Sequence, residues 1–110
     1  MNDKDRSLLT GMLDFAQRVS RRTANLTNEM FMADSDMQDA ILYALGQLGE
    51  KANGLSSDFI EKYPSEEWYS LIGLRNRLFH SYDDINLDMV YDMAKNDIDS
   101  IIVLIGDLVR

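Results

Sequence analysis

Apolar positions recur at three- and four-residue steps along most of this chain, the spacing of amphipathic helices. Leu8, Met12, Phe15, Ala16 and Val19 form the first series and predict a helix from about residue 4 into the low twenties. The polar stretch "TANLTN" and a turn of "EMFMADS" follow. Met37, Ile41, Ala44, Leu45, Leu48, Ala52 and Leu55 then mark a second long helix that ends near Gly54. "SSDFIEKY" predicts a short helix capped by Ser56 or Ser57 and stopped by Pro64. Ser65 before Glu66 and Glu67 opens a third long helix, because a hydroxyl can cap it and acids suit its positive end. The final series, Leu87, Val90, Ala94, Ile98, Ile101, Ile105 and Leu108, has Asn86 as its N-cap and "SYDDI" as the turn before it. The pattern predicts an all-α fold, an antiparallel bundle of four long helices plus one short helix.

Composition narrows this picture without altering it. One proline and few β-branched runs favour helix, and 110 residues supply one core, so residues 1–110 are expected to form a single domain. The absence of cysteine removes thiolate metal sites and disulfides, and one histidine argues against structural zinc; no metal ligand or cofactor is expected. No 18-residue apolar run and no N-terminal h-region occur, so the chain reads as cytoplasmic, with no membrane role. A formal net charge of -8 argues against binding nucleic acid by bulk electrostatics. Any polyanion site must be local. Two clusters among the 11 basic residues could supply one, Arg21 with Arg22 and Arg75 with Arg77.

The second cluster leads to the only histidine, in "LRNRLFHSY". On a helical wheel Trp68, Leu71, Ile72, Leu74, Leu78 and Phe79 fall on one arc, while Tyr69, Gly73, Asn76 and His80 share the other. Arg75 lies within the apolar arc, where its charge must snorkel out or be paired. Gly73 removes bulk beside the histidine, which makes its arc a candidate interface. Arg75 and His80 are about 140° and roughly 7.5 Å apart on a regular helix, so they do not stack. Unwinding near His80, or a second copy across a two-fold axis, would be needed to bring them together. Imidazole can take a proton from a ribose 2′-hydroxyl or give one to a leaving oxygen, while guanidinium holds phosphate and stabilises developing charge. This is the constellation of a metal-independent ribonuclease. The plainer reading is a histidine that satisfies the last carbonyls and the negative end of its helix.

With its flanks, the segment resembles the HepT-like toxins of the HEPN superfamily, partners of minimal nucleotidyltransferase antitoxins. The R-x4-H-x-Y signature stands as Arg75, "NRLF", His80, Ser81 and Tyr82. "ALGQLGEKAN" at residues 44 to 53 resembles the family's I-G-E-A segment, and "YPSEEWYSLIGLRN" its lead-in. Lys51 and Ser81 depart from the common pattern, outside the core signature. The resemblance implies a HEPN-like fold and a homodimer that cleaves RNA without metal, with His80 and Arg75 catalytic and Asn76 assisting. It further implies a toxin neutralised by AMP transfer from the antitoxin to the Tyr82 hydroxyl. The plain reading of Tyr82 is a turn residue packed on the last helix. Glu50 is either a partner of Arg75 or Arg77 or an ordinary exposed acid; Gly73 and Arg77 are supporting residues. The alternative function is a non-catalytic HEPN subunit that binds a nucleotidyltransferase.

Overall fold

Six α-helices begin where a short polar side chain accepts from the free amides of the first turn. In a computed structural model that describes all 110 residues, Asn2 caps α1 (Asp3–Thr23), with its side chain 2.7 Å from the Asp5 amide. Thr27 caps α2 (Asn28–Met32), Asp34 caps α3 (Ser35–Asn53), and Ser56 rather than Ser57 caps α4 (Ser57–Lys62). Ser65 caps α5 (Glu66–His80), and Asn86 accepts from both Asp88 and Met89 to start α6 (Leu87–Asp92). A π-helical turn, Met93–Asp97, carries α6 directly into α7 (Ile98–Val109).

The all-α antiparallel bundle is therefore present, with two local differences from the sequence reading. "EMFM" is not a turn: five residues around it form α2, whose Phe31 is fully buried. One helical turn is too short to show periodicity. The last helix also widens in its middle. Successive four-residue steps, Val90 to Ala94 to Ile98, drift around a regular 3.6-residue helix, and the π turn absorbs that drift so that all three stay buried.

α3 packs between α1 and α5, and α1 also packs on α7. Directions follow from the contacts. Leu8 lies against Gly54 and Phe15 against Tyr43, so α1 and α3 run oppositely. Leu78 lies against Gly46 while Leu71 and Arg75 lie against Gly49, so α3 and α5 also run oppositely. Arg6 reaches the Val109 carbonyl and Thr23 the Ala94 carbonyl, which sets the last rod antiparallel to α1. Twenty-two apolar side chains form one core, among them the fully buried Trp68, whose indole N–H donates to the Tyr63 carbonyl at 2.9 Å. By contrast, α5 and the last rod leave between them a groove of about 380 Å³, lined by residues that include Tyr69, Gly73, Arg77 and Met89.

Asp5, one of two buried polar residues, ties α1 to the start of α4. Its carboxylate accepts from the Ser56 amide at 2.8 Å and from the Ser56 hydroxyl at 2.6 Å. Burial acts to raise this carboxyl, but the two Ser56 hydrogen bonds, with Lys4 and the terminal ammonium, outweigh it and hold it below the ordinary value of 3.8. A depressed folded-state pKa adds stability above the unfolded value and loses it as pH falls through the folded one. The thermal midpoint of Asp5→Asn should lie below wild type at neutral pH, and the gap should close on acidification below about 4. A gap that is constant with pH would remove Asp5 from the acid response.

Candidate functional site

The site is built where α3 and α5 come closest. A Cβ added at Gly49 would stand 2.3 Å from the Leu71 carbonyl oxygen and 2.5 Å from the Arg75 Cβ, so only glycine admits α5 at this distance. The next residue is Glu50. Close approach brings its carboxylate to Arg75, whose Nε donates to Oε2 at 2.7 Å. One Nη of Arg75 donates to the Asn76 side-chain oxygen at 2.9 Å. Since guanidinium can only donate, that contact orients the Asn76 amide with its NH₂ outward. The Arg75 guanidinium also lies over the Phe79 ring, 4.6 Å from its centre.

The charge on the apolar arc is thus paired, which answers the question its position raised. Its side chain remains about one-fifth exposed, and of five guanidinium N–H groups two are engaged. The other three can meet a phosphate in a fixed orientation. Of the two readings for Glu50, pairing with Arg75 is the one found, and Arg77 instead lines the groove toward α6.

His80 is not part of this network. It is the last residue of α5, exposed, and the helix stays regular up to it, with the Ser81 amide donating to the Arg77 carbonyl at 2.8 Å. Helix-end unwinding does not bring it toward Arg75. Asn76 and His80 keep the solvent-facing arc with Tyr69 and Gly73, and a Cβ added at Gly73 would meet nothing within 4 Å. The arc expected to serve as an interface is accordingly open.

Tyr82 opens the short 3₁₀ turn after α5 and is 54% exposed. Its ring borders a second groove of about 320 Å³ between α3 and α5, with Leu42, Tyr43, Leu78 and Phe79 among the walls. The phenol is therefore accessible, on the α3 side of the molecule and not against the last helix. Phe79 shares the apolar arc of the wheel, yet it is 58% exposed and serves as the platform beneath Arg75. The signal was present in the i, i+4 spacing from Arg75, which makes the two side chains neighbours on a helix.

Perturbed carboxyls lie away from this network. Burial, then the charges of Asp97 and Glu66, push Glu67 up; burial, then Asp92, push Asp97 up. These groups face one another where α5 begins, at the opposite end from His80.

Comparison with known proteins gives one family. Residues 12–107 match the HepT-like family, described as "Ribonuclease HepT-like". "Putative RNase MJ0127" of Methanocaldococcus jannaschii is 31% identical over 111 residues, spanning 100% of this chain and 92% of that protein. "Putative RNase MJ1380" of the same organism is 29% identical across 92% of this chain and 94% of its own length. "Probable ribonuclease HepT" of Thermococcus cleftensis is 24% identical across 92% of both. No solved structure matches the chain. No helix is long and apolar enough to cross a membrane.

Proposed function

The chain belongs to the HepT-like ribonuclease family, and we propose that it is a metal-independent endoribonuclease, the cytoplasmic toxin of a toxin-antitoxin pair. The observation that carries this reading is the Glu50–Arg75–Asn76 network, which holds a guanidinium with unused donors beside an open helix face that presents His80. His80 removes the 2′-hydroxyl proton or protonates the leaving 5′ oxygen. Arg75, with the outward Asn76 amide, stabilises the charge that develops on the phosphate. Attack by the neighbouring 2′ oxygen needs no metal-bound water.

Arg75 and His80 of one chain point apart, so the proposed enzyme is a homodimer. The Gly73, Asn76 and His80 arc of each copy faces the other, and the open space at Gly73 permits that approach. A minimal nucleotidyltransferase antitoxin transfers AMP from ATP to the exposed Tyr82 hydroxyl, two residues beyond His80: the phenol oxygen loses its proton and bonds to the α-phosphorus as pyrophosphate leaves. The added phosphate repels RNA and the nucleoside occludes the groove.

The test is cleavage of RNA by the purified chain in excess chelator, with wild type beside His80→Ala. Chelator-resistant cleavage that disappears in the variant is expected. Cleavage that persists unchanged in His80→Ala would sink the assignment. The acidic net charge of -8 favours a second reading, a binding subunit of the nucleotidyltransferase without nuclease activity. In that case expression without the partner leaves growth unaffected, and Arg75→Ala changes nothing.

A further inference from the structure

An acidic protein that handles RNA needs a local route for the polyanion, and one crosses the face formed by α1, α3 and α5. It begins at Arg18, Arg21 and Arg22, which line a shallow depression at the C-terminal end of α1. Arg18 is paired with Asp14 at 2.7 Å, whereas Arg21 and Arg22 are exposed and take part in no ion pair. Arg18 and Arg22 also border the next hollow, whose floor is the edge-to-face pair of Phe15 and Tyr43, ring centres 6.2 Å apart. Tyr43, with Asp39, is in turn a wall of the groove that holds Phe79 and Tyr82. Phe79 lies under Arg75. Each hollow shares two residues with the next, so free cations, exposed aromatic rings and the guanidinium of the site form one continuous track.

This combination has a specific chemistry. Tyr43, Phe79 and Tyr82 are 63%, 58% and 54% exposed, unusual for rings that sit within one continuous depression. Unpaired bases stack on such rings, and arginines neutralise the backbone beside them. A duplex hides its base faces and would leave the rings unused. The track crosses two interhelix spacings of roughly 8–10 Å each, room for a few nucleotides of single strand. Asp39 lines two of its hollows, Asp14 is paired with Arg18 and Glu50 with Arg75, so the cations of the track left without an ion pair are Arg21 and Arg22.

We propose that this track binds the single-stranded segment of the RNA substrate, with phosphates on Arg21 and Arg22 and bases stacked on Tyr43 and Phe79. The inference rests on the ribonuclease reading. It adds where the strand lies on the way to Arg75. It also gives Tyr82 a second consequence: a nucleotide attached there would occupy the position of a stacked base.

Arginines in the last turn of α1 also offset the negative end of that helix, a role that leaves RNA affinity untouched. The experiment separates the two. Binding of a fluorescein-labelled, unstructured oligoribonucleotide is followed by anisotropy over a range of KCl, with the full chain carrying His80→Ala to prevent cleavage. Arg21→Gln with Arg22→Gln should weaken binding and reduce the log–log salt slope by about 1.4, at about 0.7 per contact to single strands. Tyr43→Ala should weaken it about 5- to 150-fold, and Tyr43→Phe should restore it. Unchanged slope and affinity in these variants, with the parent still binding and wild type still cleaving, would overturn the track and leave the ribonuclease standing. A parent that does not bind and a wild type that does not cleave would overturn both. Dissociation of a dimer by the same substitutions, seen in sedimentation with RNA affinity preserved, would make the face a contact between copies and also overturn the track.

Discussion

Replacing Gly49 by alanine will lower the thermal midpoint by about 10 °C, although alanine is the better helix former by about 1 kcal/mol. The new methyl would stand 2.3 Å from the Leu71 carbonyl and 2.5 Å from the Arg75 Cβ, both fixed parts of α5. Neither can swing aside as a flexible side-chain end could. To reach ordinary contact, α5 must retreat by about 1 Å along its most intimate seam, which forfeits dispersion contacts around Leu71 and Leu74. Overpacking of this kind costs about 3 kcal/mol when backbone has to move, so the net loss is about 2 kcal/mol. Gly106→Ala supplies the control. It lies in α7, and its added Cβ would meet nothing within 4 Å, so the propensity gain stands alone and the midpoint rises by a few degrees. Thermal denaturation by circular dichroism reads both. If Gly49→Ala rises with Gly106→Ala, the seam is not the constraint described.

The same substitution reaches the site. Arg75 projects from the stretch of α5 that Gly49 admits, and its guanidinium is held by the residue next to Gly49. The order Gly then Glu on α3 therefore has one physical meaning: the first residue sets the separation of the two helices and the second uses it. Lys51, the departure that follows, points elsewhere, with its ammonium over the Phe15 ring at 5.6 Å.

Much of this was readable from the chain because long amphipathic helices leave periodic marks. Ser65 and Asn86 are identifiable as caps since hydroxyl and amide side chains at a helix start do one job, and the position of Arg75 inside an apolar arc demands either an outward reach or a partner. What escaped was of another kind. α2 has a single buried residue, Phe31, too little for a period to register. The π turn conserves the apolar spacing and changes only the backbone hydrogen bonds, which composition does not encode. Leu8 and Phe15 were placed in the first core series, while the structure buries Leu9 fully and leaves those two partly covered, a rotation of the helix that side-chain type cannot fix when neighbouring positions are both apolar. The track from Arg21 to Phe79 draws on three helices distant in sequence, and only their packing order joins it.

Co-expression of two inactive variants, Arg75→Ala and His80→Ala, will restore cleavage to about a quarter of wild type if each site takes one residue from each chain. The argument begins with geometry that a single copy cannot escape. Five residues along a regular α5 separate the two side chains by about 140° and roughly 7.5 Å, and Arg75 is held toward α3 by Glu50 while His80 faces solvent. Loss of a general acid or base costs about 100- to 10,000-fold, so each variant alone should be nearly silent. In a heterodimer one site inherits both substitutions and the other inherits neither. Random pairing makes half of the dimers mixed, and each mixed dimer has one intact site out of two, which gives the quarter. If Arg75 and His80 acted within one chain, every site in the mixture would lack one of them and nothing would return. Differently tagged copies establish that mixed dimers are present. Cleavage at the level of the single variants in such a preparation would exclude the shared site, whereas recovery shows that two copies bring together groups that one chain holds apart.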